Sequence, residues 1–514
     1  MELRYQTGKS GTPIREILPD CQIFGAEDIR VSSCCHDWNH VQPGDLYVAK
    51  VGMEKDGHDH IQMAAKKGAS AILCERFVVS DVPLCLVEDT REAYGQICQN
   101  LVGDPKDRLK TVGITGTDGK TIVGHLIREV FRKSRMRTGM ISSLGYCDGF
   151  VTSKLDGTTP DSPQLADCLS ELVANNCQAA IVENSSIGIA ERRISGIEFD
   201  ACVFTNVRKD HLDSHGTVEN YRKIKTRLLE RLKSNGFVVL NSDDQFLNRW
   251  VKQLKCPVLT YGMHNDAEVT AEVIQRTSVD QTFLLVAGNE SIPVRTPMIG
   301  DYYVRHCLAA ATVGLTFGLS LEDIVSGIES IDSIPGRMER IQRGQDFSVY
   351  VDSAQTPNQL CGMLKTLARL PAGGKIRCVF GGAERITSKQ RAGLGTVAER
   401  YADQQIISGV EIHNESALEV AHEILDGFDD VSKAHVIPNR AAAIQHVLES
   451  AEPDDKVLIC GLGEKTTSFG FEAELAMTDR ELCETWFDHP ESLNALTRQQ
   501  EKSLPISYRI DNYR

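Results

Sequence analysis

Short apolar runs alternate with amphipathic stretches along the central third of the chain. Each apolar run is typical of a buried β-strand, and each amphipathic stretch has the period of a helix. In chain order the segments are predicted as strand, helix, strand, strand, helix and strand at 110–116, 119–133, 178–186, 200–207, 217–232 and 236–244. Such alternation predicts a parallel sheet covered by helices.

The two flanking parts have a similar pattern. Residues 42–77 read strand–helix–strand and, with 81–105, form a small α/β unit. After Pro335-Gly336, a predicted hinge, four short strands each end in a polar or Gly-rich loop, where open α/β sheets bind ligands. We therefore predict an α/β protein with a central P-loop parallel-sheet domain, a smaller N-terminal α/β domain and a Rossmann-like C-terminal domain. Their predicted bounds are 1–106, 107–334 and 335–514.

Composition narrows the class of protein. Of the 514 residues, 41% are apolar and 25% charged, which is ordinary for a globular protein. The formal net charge of −15 disfavours a nucleic-acid partner, which needs a basic face. No apolar run reaches the roughly 20 residues of a membrane span, so we expect a cytoplasmic protein without a membrane partner. The sixteen cysteines contain no Cys-x-x-Cys and are expected to be reduced thiols.

One Gly-rich segment, "GITGTDGKT" at 113–121, joins a predicted strand to a predicted helix. The usual phosphate-binding pattern would place glycine where this chain has Ile114. The remaining features are present: the turn Gly116–Gly119, then a helix that begins at Gly119 or Lys120. Backbone N–H groups at such a helix start favour an anion. Lys120 suits β/γ-phosphates and the Thr121 hydroxyl suits Mg²⁺. The alternative is a Gly-rich turn with an exposed lysine.

Two further residues have the chemistry of metal ligands. Glu183 ends the apolar strand "AAIVE", and His211 follows the strand "ACVFTN". A carboxylate and an imidazole near one nucleotide suit Mg²⁺ or Mn²⁺. Taken singly, Glu183 could be a solvated carboxylate and His211 part of a helix cap.

These segments resemble, in order, the motifs of the Mur ligase superfamily. "GITGTDGKT" is similar to its shortened P-loop, "LDGTTPDSPQL" to its Thr-Thr-Pro segment and "IVENSS" to its Glu-x-Ser-Ser segment. "VFTNVRKDHLDSHGTVENYRKIKTRLL" resembles its Asp-His-Leu-Asp region. "PGDLYVAKVG" and "IPGRMERI" are closest to the MurE type, which adds the third peptide residue to UDP-N-acetylmuramoyl-L-alanyl-D-glutamate. The resemblance spans most of the chain and weakens towards the C-terminus.

The resemblance implies a function in peptidoglycan precursor synthesis. It implies an ATP- and Mg²⁺-dependent ligase that activates a carboxylate as an acyl phosphate and joins it to an amino acid. The partners would be the UDP-N-acetylmuramoyl-dipeptide and the amino acid, and we expect a monomer. The N-terminal domain would bind the UDP-substrate, the central domain ATP and the C-terminal domain the amino acid.

The resemblance also assigns roles to individual residues. The catalytic set would be Lys120, Glu183, His211 and a carbamylated Lys225, whose modification turns an ammonium into an anion. The metal ligands would be Thr121, Glu183, His211 and Lys225. The nucleotide would be bound by Gly116, Thr117, Asp118, Gly119, Lys120, Thr121, Arg337 and Asp352. The substrate would be bound by Thr158, Thr159, Ser185, Arg193 and Glu464.

For three of these residues the sequence leaves a plainer interpretation open. Lys225 lies among other cations and could be one more solvated lysine. Arg193 could form a surface salt bridge, and Asp352 could cap the turn that follows it.

The chain also departs from the MurE pattern. Ile187 follows Ser185-Ser186 where histidine is common, Glu191 replaces glutamine, and Tyr303 and His306 occupy the asparagine positions of the adenine segment. Asp-Ser-Ala-Gln at 352–355 replaces Asp-Tyr-Ala-His. The segment 407–417 replaces the Asp-Asn-Pro-Arg motif for diaminopimelate, and "GLGE" at 461–464 replaces Gly-Lys-Gly-His-Glu, with Glu464 as the remaining carboxylate.

Two other functions fit these departures. One is another ligase of the superfamily, such as a polyglutamate-type enzyme, against which the N-terminal "PGDLYVA" unit argues. The other is a non-catalytic relative that binds a nucleotide or a cell-wall partner.

Overall fold

The computed structural model describes residues 11–52, 55–155, 157–210, 212–371, 373–382, 386–409, 415–469 and 475–491. By their internal contacts these residues form two compact units. The first comprises Met1–Ala271, Leu285–Ile292 and Arg305–Ile328, and the second Glu272–Leu284, Pro293–Val304 and Glu329–Arg514.

The N-terminal part of the first unit contains a five-stranded sheet. Its strands and those of a small added pair are β1 Thr12–Pro13, β2 Gln22–Phe24, β3 Arg30–Val31, β4 Cys34–Cys35, β5 Leu46–Val48, β6 Ala71–Cys74 and β7 Leu84–Leu86. Its helices are α1 Ile14–Ile17, α2 Ile61–Lys66 and α3 Thr90–Leu101. The strand order is β2-β7-β6-β5-β4, parallel except for β2. The predicted strand–helix–strand at 42–77 is therefore confirmed.

The central sheet follows. Its strands are β8 Lys110–Thr115, β9 Thr138–Ser142, β10 Gly145–Cys147, β11 Thr152–Ser153, β12 Ala179–Glu183, β13 Phe199–Phe204, β14 Leu232–Asn241, β15 Val258–Gly262, β16 Val269–Arg276, β17 Gln281–Ala287 and β18 Glu290–Thr296. Its helices are α4 Lys120–Lys133, α5 Ser162–Ala174, α6 Ser186–Ala190, α7 Leu212–His215, α8 Val218–Thr226, α9 Gln245–Trp250, α10 Asp301–Thr316 and α11 Leu321–Glu329.

The strand order β9-β12-β8-β13-β14-β15 is parallel throughout, and the short strands β10 and β11 add an antiparallel edge. β8 lies in the middle, with β12 on one side and β13 on the other. Helices cover both faces of a parallel sheet, so its central strands are buried on both sides. This burial accounts for the apolar runs in these three strands. Every strand and helix predicted in this third of the chain is present, but the helix predicted at 217–232 ends at Thr226 and a 3₁₀ turn follows it.

The second unit contains a six-stranded sheet in the order β19-β20-β24-β21-β22-β23, parallel except for β19. The strands are β19 Glu339–Ile341, β20 Ser348–Asp352, β21 Ile376–Phe380, β22 Gln404–Ile407, β23 Ala434–Val436, β24 Lys456–Cys460 and the separate hairpin β25 Thr466–Phe469 with β26 Leu475–Thr478. The helices are α12 Pro357–Ala368, α13 Ser388–Tyr401, α14 Ala417–Leu425, α15 Arg440–Glu449 and α16 Asp479–Asp488.

Short 3₁₀ turns connect several of these elements. They are Trp38–His40, Gly57–His60, Pro105–Asp107, Arg227–Arg231, Val251–Gln253 and Val431–Lys433. The three sheets agree with the predicted α/β class and with the three predicted domains. The boundaries at 106/107 and 334/335, and the hinge at Pro335-Gly336, stay predictions.

Candidate functional site

The P-loop lies at the carboxyl edge of the central sheet. Gly116 follows β8 directly, and α4 begins at Lys120 with Gly119 as its N-cap, as predicted. Gly119 has a φ of 83°, in the left-handed region that glycine adopts without strain. A Cβ on Gly116 would lie 1.8 Å from the Thr205 hydroxyl oxygen, and one on Gly119 would lie 2.0 Å from Nε2 of His306. Glycine is therefore required at both positions.

Two residues that follow β13 hold this loop in place. The Asn206 carbonyl accepts the Thr117 N–H at 2.9 Å, and the Asn206 side chain exchanges two hydrogen bonds with the backbone of Asp118, each 3.0 Å long. The Thr205 hydroxyl donates to the Asp118 carbonyl at 2.6 Å. Neither Thr205 nor Asn206 was predicted from the sequence as a site residue, although both stand in the quoted "VFTN" segment.

Lys120 lies over the loop that precedes it. Its Nζ donates to the carbonyls of Gly116 and Thr117 at 3.2 and 3.1 Å, and lies 3.9 Å from Oε1 of Glu183. The lysine side chain is largely buried. Its ammonium is therefore held where a phosphate bound by the loop would meet it.

Glu183 ends β12, beside the P-loop. Its buried carboxylate accepts the Thr121 hydroxyl at 3.0 and 3.2 Å from its two oxygens, and the Ser143 N–H at 3.1 Å. Ser143, which also contacts the Thr121 hydroxyl at 2.9 Å, was missed because it lies in an unremarkable β9–β10 turn. A buried carboxylate and a hydroxyl form a hard oxygen donor set, which fits Mg²⁺. In the described part of the chain, no group of three or more His, Cys, Asp or Glu residues gathers around a metal position.

Lys225 is buried on α8 and is not the solvated lysine of the alternative interpretation. Its Nζ donates to the Gly116 carbonyl at 2.7 Å and lies 4.8 Å above the Tyr221 ring. Burial, together with the nearby Lys120 ammonium, holds the pKa of Lys225 well below its usual range. The side chain is thus a buried amine at the P-loop, and its surroundings disfavour the charged form.

Four of the five residues predicted to bind substrate belong to the segments around Glu183. The Thr159 hydroxyl donates to the Glu183 carbonyl at 2.9 Å and accepts the Ser185 N–H at 2.9 Å. The Ser185 hydroxyl caps α6. Arg193 donates to the Thr159 carbonyl at 2.7 Å and forms an ion pair with Glu191. Thr158 is the neighbour of Thr159 and is partly exposed.

A pocket of about 420 Å³ opens next to the P-loop within the first unit. Asn206 forms part of its wall, together with three arginines and the ring of Phe246. The lining residues include Asn206, Arg208, Arg222, Asn241, Phe246, His264 and Arg305. The adenine segment was predicted at Tyr303 and His306. The lining residues of this pocket, which come from the ends of β13, β14 and β15 and from helices α8, α9 and α10, were not anticipated.

Two predicted positions need separate mention. His211 lies outside the described residues, so its role stays a prediction. His306 is buried, and burial lowers its pKa to about 3, so it is neutral at ordinary pH.

The remaining predicted residues belong to the second unit. Asp352 ends β20, and its carboxylate accepts the N–H groups of Met338 and Ala354 at 2.7 and 2.8 Å, which is the turn-capping interaction of the alternative interpretation. Arg337 lies next to Gly336, where a Cβ would lie 2.9 Å from the Gly463 Cα. The loops at 336–338, 352–354 and 461–463 therefore meet at the carboxyl edge of this sheet. Glu464 is exposed beside them.

Comparison with known proteins assigns this fold and loop to a class. The Mur ligase middle domain matches residues 114–314, and the Mur ligase glutamate ligase domain matches residues 336–463. The chain belongs to the Mur ligases, and it is an ATP-dependent ligase that forms amide bonds. No helix among the described residues has the length and apolar character needed to cross a membrane.

Individual relatives narrow the similarity to one branch of that family. The UDP-N-acetylmuramoyl-L-alanyl-D-glutamate–2,6-diaminopimelate ligase of Bacillus cereus is 33% identical over 456 residues, 87% of this chain and 92% of that protein. The enzyme of the same name from Bacillus licheniformis is 34% identical over 448 residues, covering 86% and 91%. A solved structure of an enzyme of that name has a TM-score of 0.67 at 25% identity, covering 95% of this chain and 99% of that one. MurF of Acinetobacter baumannii shares the fold, with a TM-score of 0.60 at 20% identity and coverage of 95% and 100%.

Proposed function

We propose that this ligase joins an amino acid to a carboxylate of UDP-N-acetylmuramoyl-L-alanyl-D-glutamate in peptidoglycan precursor synthesis, as a cytoplasmic monomer. The names of the relatives support the acceptor substrate. One observation carries the proposal: Lys120, Thr121, Glu183 and Lys225 converge on the P-loop, and Thr159 is hydrogen-bonded to the backbone of Glu183. Phosphate-binding and substrate-binding groups thus lie side by side.

The reaction proceeds in two steps. A carboxylate oxygen of the substrate forms a bond to the γ-phosphorus of ATP while the bond from that phosphorus to the ADP oxygen breaks. The amine of the amino acid then attacks the carbonyl carbon of the acyl phosphate, phosphate leaves with the C–O electron pair, and the nitrogen loses a proton. The carboxylate and the triphosphate repel one another, so the protein must hold both close together and offset their charge.

In this chain, Lys120 and the backbone N–H groups of the P-loop would position the phosphates and offset their charge. The loop N–H groups and the start of α4 orient the phosphates, and the Lys120 ammonium offsets charge that develops on the γ-phosphate. Asp118 and Thr117 contribute the backbone of the same loop, which Asn206 keeps in position. In the second unit, Arg337 and Asp352 would bind the nucleotide, and Glu464 would bind the ammonium of the amino acid.

Two of the predicted donors, the Thr121 hydroxyl and the Glu183 carboxylate, fit a divalent cation. Thr121, Glu183, His211 and a carbamylated Lys225 would hold Mg²⁺, which when bound supplies further charge neutralisation for the phosphates. Carbamylation requires a neutral amine, and the lowered pKa of Lys225 favours that form. The modification would place an anion beside the Lys120 ammonium, where a protonated Lys225 would be repelled.

Purified protein with the UDP-muramoyl-dipeptide, ATP and a panel of amino acids, with ADP release as the readout, tests the proposal. We expect ADP release that requires the UDP-dipeptide and one class of amino acid. The panel is needed because this chain has no Asp-Asn-Pro-Arg motif, and part of the segment that replaces it, 410–414, lies outside the described residues. ADP release with a folate-type carboxylate and none with the UDP-dipeptide would favour the polyglutamate-type alternative. Absence of ADP release with every acceptor would favour the non-catalytic one.

A further inference from the structure

Two apolar side chains protrude from the tip of the β10–β11 hairpin. Phe150 and Val151 are exposed, at 64% and 67%. Hydrogen bonds fix the turn that carries them: the Asp148 carboxylate accepts the N–H groups of both residues, at 2.8 and 2.7 Å, and the Asp148 carbonyl accepts the Asn175 side-chain amide at 3.2 Å. The turn therefore holds both apolar side chains in solvent.

The connection between α4 and β9, beside this tip, is strongly basic. Segment 128–137 contains five cations and one carboxylate, although the whole chain has a net charge of −15. That carboxylate pairs with the arginine three residues further on. Lys133, Arg135 and Arg137 are exposed, and none of them forms an ion pair with a residue that the structure describes. A helix end favours cations through its dipole, but α4 ends at Lys133, so this effect does not account for the two arginines.

The cations and the apolar tip form one surface. The Arg137 guanidinium lies 4.6 Å from the centre of the Phe150 ring, and its Nη1 donates to the Asn175 carbonyl at 3.0 Å. A Cβ on Gly149 would lie 2.6 Å from the Cys177 Sγ and 3.4 Å from the Arg137 Cγ, so the tip packs against the segments that precede β9 and β12. The hairpin patch is defined as Lys133, Arg135, Arg137, Phe150 and Val151.

The hairpin patch lies at the amino edge of the central sheet. β10 runs antiparallel to β9, with Cys147 opposite Met140, so the tip returns to the end where β9 begins. The P-loop lies at the opposite, carboxyl edge of the same sheet. β9 has five residues, which corresponds to a length of about 17 Å. A partner at the hairpin patch would therefore leave the ATP-binding edge open.

A second exposed apolar pair has different surroundings. Phe77 and Val79 are 62% and 80% exposed, in the loop between β6 and β7. That loop carries Glu75 and Asp81 but only one arginine. Its flanks would repel an anionic surface, whereas the cations of the hairpin patch would attract one.

We propose that the hairpin patch binds the surface of an anionic lipid bilayer. Phe150 and Val151 would enter the interfacial layer, and the three cations would lie against the anionic headgroups. The negative excess belongs to the rest of the chain, and salt screens charges separated by more than about 8 Å. The prediction of no membrane partner rested on the absence of a spanning segment, which binding at the surface does not require. This inference is independent of the proposed function.

Two other anionic partners fit the patch less well. A nucleic acid stacks on aromatic rings and gains little from the aliphatic Val151. An acidic protein segment would pair with the cations but does not account for a hairpin tip that exposes two adjacent apolar side chains. The lipid surface is the partner that uses both features.

Co-sedimentation with vesicles tests the proposal, with phosphatidylcholine alone or mixed with phosphatidylglycerol. The wild type should sediment with the mixed vesicles at about 0.1 M salt and be released at about 1 M, where the Debye length falls from about 10 to 3 Å. Phe150→Ser/Val151→Ser should bind about tenfold more weakly or worse, because it loses the apolar tip. Lys133→Gln/Arg135→Gln should lose a similar factor, since each cation contributes about fivefold. Phe77→Ser/Val79→Ser is the matched control and should bind as the wild type does.

The outcomes decide between the partners. The proposal is wrong if the wild type does not sediment with the mixed vesicles, sediments equally with neutral ones, or loses as much affinity in the control variant as in the tip variant. Binding of soluble polyglutamate without binding of vesicles would assign the cations to an acidic protein partner instead. Unchanged ATP affinity in isothermal titration verifies that each variant is folded, and if the tip variant fails this check, the charge variant decides alone.

Discussion

Gly119→Ala probes the close approach between the P-loop and α10. The new Cβ would lie 2.0 Å from Nε2 of His306, about 1.4 Å inside ordinary contact, and the φ of 83° is unfavourable for alanine. The left-handed conformation costs about 1–2 kcal/mol, and overpacking of a buried site typically costs about 1–3 kcal/mol. If the loop keeps its place, Gly119→Ala should therefore lower the free energy of unfolding by about 2–5 kcal/mol.

The loop can relieve this strain by moving away from His306, and then its N–H groups no longer converge on the phosphates. We therefore expect Gly119→Ala to bind ATP at least tenfold more weakly in isothermal titration and to melt at a lower temperature. Gly362→Ala is the control, because Gly362 lies on α12 without positive φ and has no atom within 4 Å of its new Cβ. That variant should bind ATP normally and melt at the same or a higher temperature.

A double-mutant cycle with His306→Ala isolates the steric part. If the clash is the cause, Gly119→Ala should lower the free energy of unfolding less in the His306→Ala background than in the wild type, by about 1 kcal/mol or more. The loss that remains should be that of the left-handed backbone conformation. Unchanged ATP affinity in Gly119→Ala, or equal costs in both backgrounds, would refute the reasoning.

Three further predictions concern single side chains near the loop. Lys120→Ala should abolish ATP turnover in an ADP-release assay, and full activity in that variant would contradict the phosphate-binding role. Protein equilibrated with ¹³C-labelled CO₂ should show a carbamate signal in its ¹³C NMR spectrum that is lost in Lys225→Arg; a signal retained in that variant would place the carbamate elsewhere. In the native state the pKa of His306 is lowered to about 3, so its imidazole stays neutral until the pH falls to that value. In the unfolded chain the same imidazole takes up a proton below about pH 6.5. Thermal stability should therefore fall as pH drops from 6.5 towards 3, more steeply in the wild type than in His306→Asn; equal slopes would exclude His306 as the cause.

The sequence pattern was sufficient for the elements and for their class. Apolar runs such as those around Val112 and Ile181 are long enough to be buried strands, and the amphipathic stretch after Gly119 has the period of a helix. These are local properties, so the strands, the helix start at Lys120 and the parallel sheet could be predicted. The motif order also placed Lys120, Thr121 and Glu183 in one site, and the structure brings these three side chains together.

Contacts between segments that are distant in the sequence decided which charged side chains are buried and which are paired. Lys225 reads as a solvated cation among Arg222, Lys223 and Arg227 in the sequence, and only the packing of α8 against the P-loop buries its amine. Likewise, Glu191 and Arg193 are two of several charged residues in a row, but the structure pairs them with one another. Arg192 between them has a φ of 58° and contacts Glu92 of α3, which lies a hundred residues earlier in the chain. Periodicity reports which face of an element is apolar. Desolvation and charge pairing depend on which elements meet at that face, and this is decided by the tertiary structure.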